Sequence, residues 1–195
     1  MVCSTTAFRI YGVAPGEYFV SAALQAPQQM MIGSGAISSG PVDGYAPTYY
    51  PGPEWGLKAV LLNGTDVTDT PLEFVPGKIV EGLQVVFTRK RPDISGLITN
   101  ERNVPDTDAT VIRFSQDSAR WNYMSRFLRT ARPSQDGRYS LRGLPPDDYF
   151  IVAVKDIETG QWHDPEFLES VRAAARRISL GEGERTTQDL KVVRP

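Results

Sequence analysis

A fifteen-residue phrase occurs twice in this chain, and it constrains the fold more than any other feature. Residues 8–22 read FRIYGVAPGEYFVSA and residues 139–153 read YSLRGLPPDDYFIVA, an ungapped offset of 131 positions. Gly12, Pro15, Tyr18, Phe19 and Ala22 align with Gly143, Pro146, Tyr149, Phe150 and Ala153. A repeat of this kind sets the architecture before any local reading does. Each copy reads as a β-hairpin. FRI and YSL alternate apolar and polar residues, as half-buried strands do. Gly12 and Gly143 end that strand, and Pro15 and Pro146 fix φ in the connection and have no N–H to give a ladder. Tyr18 and Tyr149 open the return strands. That is where sandwich folds place a tyrosine whose hydroxyl bonds back to the upstream backbone, so both are expected to be structural.

The expectation is an all-β chain of two related modules, 1–90 and 91–195. The 195 residues suit one or two domains. With 41% hydrophobic residues, 17 Gly and 15 Pro, the composition suits real cores built from short strands and turns. A net charge of −2 gives no reason to expect nucleic acid or an anionic membrane as partner. No apolar run approaches the ~18 residues of a spanning helix, and Met1 leads straight into Ser4, Thr5 and Thr6 without the pattern of a signal peptide. Cys3 is the only cysteine, which excludes an internal disulfide and a cysteine-based zinc site.

In the first module, strands are expected at 6–11 and 17–25, then at 57–62, 72–75 and 79–89, with Asn63-Gly64 as a turn. A long Gly/Pro-rich loop or linker spans 26–56. In the second, DISGLIT and ATVIRFS precede a long segment, 116–136, and the second hairpin at 137–155. One short amphipathic helix is expected near 164–178. Asp164 caps it, Pro165 takes its first position, and Phe167, Leu168, Val171, Ala174, Ala175 and Ile178 form its apolar stripe. A final strand pair is expected at 178–180 and 187–193.

The first hairpin arrives without the strands that precede the second. Three outcomes are open: the sequence belongs to a larger protein, the hairpin completes a sheet with residues 57–89, or its edge is left for another chain and supports a homodimer.

DISGLITNERNVPDTDATVIRF followed by DGRYSLRGLPPDDYFIVAV resembles the carboxypeptidase regulatory-like domain family. Ser95-Gly96 and residues 137–149 carry the family's pattern, and residues 8–18 carry its closing block again. The family glycine after proline is kept as Gly16 but is Asp147 in the second copy, where a left-handed φ is tolerated by Asp better than by most residues. The resemblance implies transthyretin-like or immunoglobulin-like sandwiches, a non-catalytic role, and an extracellular or periplasmic parent protein of bacterial type. Fold alone does not license function.

Three chemistries are open to these residues. His163 is the only histidine, so a hydrolase acting on an ester or lactone would use it, with Asp164, Asp156 or Glu158 orienting it and Ser38 of AISSG as nucleophile. A carbohydrate-binding module would use ring faces on loops, with Trp121, Tyr123 and Trp162 as candidates. No cofactor is required, and the only metal considered is calcium, at Asp66 and Asp69 or at Asp106 and Asp108. The leading expectation is a structural or ligand-binding module whose partner is a polysaccharide or a protein.

Overall fold

The computed structural model describes residues 7–22, 30–32, 35–37, 55–123 and 125–194. The chain divides into two compact units, Met1–Arg89 and Lys90–Pro195. It is a β protein with one α-helix among the described residues.

The first unit holds β1 (Gly16–Tyr18), β2 (Met30–Ile32), β3 (Gly35–Ile37), β4 (Gly56–Leu62), β5 (Thr65–Asp66), β6 (Leu72–Phe74) and β7 (Leu83–Thr88). They form three small sheets, β1-β6, β2-β3 and β5-β4-β7. Asn63 and Gly64 both have positive φ, 50° and 85°, and join β4 to β5 in a two-residue loop. Such loops favour Asn-Gly because both central residues need positive φ. The expected strand at 6–11 is absent, since residues 7–15 are neither strand nor helix. The return segment instead pairs with β6, Gly16 opposite Phe74 and Tyr18 opposite Leu72. The first copy of the phrase therefore joins residues 57–89 as a short edge and forms no hairpin of its own.

The second unit holds β8 (Asp93–Thr99), β9 (Thr110–Ser115), β10 (Arg129–Ala131), β11 (Arg138–Leu141), β12 (Asp147–Val154), α1 (Pro165–Arg172), β13 (Arg176–Leu180), β14 (Arg185–Thr187) and β15 (Leu190–Val193). One sheet runs β10-β9-β12, with β13 along the free side of β12. The other is β11-β8-β14. β15 stitches them, pairing Leu190 with Ile98 of β8 and Val192 with Ala153 of β12. Ile94, Ile98, Val111, Tyr139, Leu141, Tyr149, Ile151 and Leu190 fill the space between the sheets.

The runs TVIRFS and DYFIVAV lack polar alternation because β9 and β12 are covered on both faces. Their outer residues Ile112, Phe114, Phe150 and Val152 pack under Trp121, Phe167, Leu168 and Val171. Full burial of an apolar side chain of that size contributes about 1.5–3 kcal/mol, so the outer cluster is a second core. The helix starts where expected: the Asp164 carboxylate accepts the Glu166 N–H at 2.9 Å, with Pro165 in the first turn. It ends at Arg172, six residues short of the expected 178, because the chain turns into β13 at Arg176 and pairs Ile178 with Tyr149. Beyond Val171, Ala174 and Ala175 lie in the turn and Ile178 belongs to β13.

Two details explain the repeated phrase. A Cβ on Gly96 would lie 2.1 Å from the Gln188 carbonyl oxygen and 2.9 Å from the Tyr139 ring, so the Ser-Gly strand can carry only glycine there. The Tyr139 hydroxyl donates to that same carbonyl. The Tyr149 hydroxyl donates to Pro145 O at 2.7 Å, closing a tyrosine corner within the phrase. Asp147 does not take the left-handed conformation considered for it; the residue that does is Gly143, at φ 67°. The Asp147 carboxylate instead receives Ser115 Oγ and Arg120 Nη1, each at 2.9 Å.

Candidate functional site

Gly160 turns the chain with φ 93° into a single 3-10 turn, Gln161–His163, which runs directly into the cap of α1. Trp162 leans against the outer core, and this anchors the turn. The His163 ring lies 4.6 Å from the Tyr123 ring at an interplanar angle of 49°, and 6.0 Å from Trp162 at 54°. Tyr123 is 74% exposed. Its ring is held by the imidazole and offers its other side to water. The Nδ1 atom of His163 is buried and has no hydrogen-bond partner.

Of the three ring candidates, the structure brings together Tyr123 and Trp162 but not Trp121. Trp121 is buried in the outer core, edge-on to Phe114 at 5.3 Å, and its indole N–H donates to Ser115 O at 2.7 Å. The ring covers the outer face of β9 and has no free face for a ligand. Trp55, in the first unit, is half-buried with the Arg89 guanidinium 5.6 Å from its ring centre.

Asp164 Oδ1 accepts the Glu166 N–H at the cap of α1, and Asp156 lies 4.0 Å from Arg194. Ser38 lies outside the described residues, as do Tyr45, Tyr49 and Tyr50.

The aspartate pairs weighed for calcium serve turns. Asp66 Oδ1 accepts the Thr68 N–H at 2.9 Å. Asp106 Oδ1 accepts the Asp108 N–H at 3.0 Å, and Lys155 Nζ sits 2.9 Å from Asp106 and 3.3 Å from Asp108. Burial alone raises the Asp106 pKa, but the Lys155 hydrogen bond and the Asp108 and Ala109 N–H groups outweigh it and hold the carboxyl below its usual range. Among the described residues no three His, Cys, Asp or Glu side chains converge.

No protein-family model matches the chain, and no curated protein does. Among solved structures it is similar to the TIE protein of Bacillus anthracis at 16% identity and a TM-score of 0.35, over 56% of this chain and 17% of that one. It is similar to the major pilin subunit of Bacillus cereus at 14% identity and 0.35, over 52% and 28%. It is similar to a minor pilin of Streptococcus agalactiae at 10% identity and 0.33, over 62% and 57%. The chain spans less than two thirds of each of these proteins. Likeness this distant carries nothing about function.

Proposed function

We propose that the chain is a non-catalytic binding and structural module of the carboxypeptidase regulatory-like type, serving an extracellular or envelope protein of a bacterium. The type rests on Gly96 beneath Tyr139 and on the tyrosine corner at Tyr149, which give physical meaning to the motif residues. The observation that carries a binding role is the Tyr123–His163–Trp162 corner: an exposed aromatic ring braced by the only imidazole on a turn fixed by Trp162. A rigid ring face of this kind suits the apolar face of a sugar and costs little ordering on binding.

The test is retention on a panel of immobilised polysaccharides, with Tyr123→Ala and Trp162→Ala beside the parent chain. Retention lost in folded Tyr123→Ala supports the reading. Retention indifferent to both substitutions overturns it. Ester or lactone hydrolysis that disappears in folded His163→Ala would install the hydrolase reading instead.

A second reading, assembly, is favoured by a separate observation. Phe8, Ile10, Tyr11 and Phe19 are exposed in the first unit. The partner expected there is a second copy of the chain. Sedimentation should show a dimer that Ile10→Lys dissociates; a monomer at every concentration would remove this reading.

A further inference from the structure

Arg113 is the largest fully buried side chain of the described residues. It sits on β9 with its guanidinium 4.1 Å from the centre of the Tyr149 ring. Its Nη2 reaches the Arg126 carbonyl at 3.4 Å, a weak contact. Its Nε and Nη1 have no partner at all. An arginine cannot shed its charge as a lysine can, and a buried unpaired charge is among the most expensive groups in a fold.

The surroundings deepen the imbalance. Directly across the β9-β10 ladder stands Arg129, so two like charges share one face of adjacent strands. Arg91 lies in the approach to β8, its Nη2 bonded to Gly143 O. Burial, with the neighbouring charge of Arg129, lowers the Arg113 pKa to about 10, against the opposing pull of Tyr149 and Asp147. Burial and the charge of Arg129 lower that of Arg91 too. The carboxylates near these groups are engaged elsewhere. Asp147 receives Arg120 and Ser115, and Asp93 accepts the Gly143 N–H at 2.9 Å. Among the described residues Arg113 has no ion pair. Arg129 is exposed and Arg113 is enclosed, so the cluster has a wet outer end and a dry inner one.

We propose that Arg113, with Arg129 across the ladder, forms an oxyanion site at this end of the second unit that takes a phosphate or sulfate group. Two guanidiniums on adjacent strands match a tetrahedral dianion, whose oxygens accept from several directions, better than a flat carboxylate. The anion supplies the acceptors that Nε and Nη1 lack.

The experiment is thermal unfolding and calorimetric titration of the whole chain with inorganic phosphate and with sulfate, against sodium chloride of equal ionic strength. Arg113→Met and Arg129→Gln are run in parallel, with circular dichroism to show that each is folded. The site predicts a rise in Tm with phosphate or sulfate beyond that with chloride. Arg113→Met, which replaces the buried charge by an apolar stem, should fold and lose that rise. Arg129→Gln, an exposed position, should weaken binding by about tenfold, the usual scale of one charged hydrogen bond. If free ions do nothing but a sulfated or phosphorylated oligosaccharide raises Tm in an Arg113-dependent way, the group is an ester on a larger ligand. A rise equal in chloride, or unchanged in both Arg113→Met and Arg129→Gln, or absent with every ligand, overturns the proposal.

Discussion

The two copies of the phrase share a left-handed glycine and differ in what surrounds it. Gly12 has φ 72° and Gly143 has φ 67°, so both copies bend at the same residue of the phrase. Ile10 is 67% exposed, yet its counterpart Leu141 is 5% exposed; Tyr18 is 40% exposed, and Tyr149 is fully buried. The second copy lies between β8 on one side and β9 on the other, with Tyr139 opposite Gly96 and Phe150 opposite Phe114. Among the described residues, the first has β6 beside Gly16–Tyr18 and no other strand. The turn is therefore a property of the local sequence, whereas burial is a property of the strands that neighbouring sequence supplies. Fifteen apolar-rich residues are not a core until something covers them.

The largest way to sharpen this contrast is to truncate equivalent rings. Phe150→Ala should lower the stability of the second unit by about 3–5 kcal/mol, the usual cost of emptying a packed aromatic site. Phe19→Ala, at an exposed ring, should leave that transition within about 0.5 kcal/mol. Urea unfolding followed by Trp fluorescence reads both. Equal losses would break the comparison.

The two turn glycines give a smaller effect. Alanine in the left-handed region costs roughly 1–2 kcal/mol. At Gly143 the new methyl would also meet the Arg91 guanidinium carbon at 2.5 Å, whereas at Gly12 nothing lies within 4 Å. Gly143→Ala should therefore lower the Tm of the second unit by more than Gly12→Ala lowers that of the first.

Acid gives the finest distinction. Asp106 has its carboxyl held low in the folded state by Lys155 and two backbone N–H groups, despite its burial. A lowered folded pKa means stability that is present above the ordinary carboxylate range and is lost as pH falls through the folded value. Denaturation of the second unit should steepen below the ordinary carboxylate range. Asp106→Asn should flatten that dependence, and a slope identical in the variant would remove Asp106 from the account.

The sequence made much of the second unit readable, and the reasons are physical. β8, β9, β11 and β12 show as runs of strand-forming residues bounded by turns, and Asp164-Pro165 marks a helix start unambiguously. The helix end was not readable, because Ala174, Ala175 and Ile178 continue a helical spacing that β12 overrides by pairing with β13. β10 was missed because its three residues, Arg-Thr-Ala, carry no strand pattern apart from their partner β9. The loop position of Trp121 in the sequence suggests a ligand surface; only the outer face of β9 shows why it folds inward. Arg113 was legible in part: an arginine inside TVIRFS, a run with no solvent face, has to be buried. Nothing in the order of residues shows that Arg129 stands across from it.

The contrast between the copies is tested most directly by hydrogen exchange across the whole chain, followed by mass spectrometry of peptides covering residues 8–22 and 139–153. The account predicts that amides of β12 exchange only with global opening of the second unit, while those of residues 8–15 exchange at rates near an open chain. Equal, strong protection in both phrases would contradict it, because the first copy would then be covered as fully as the second.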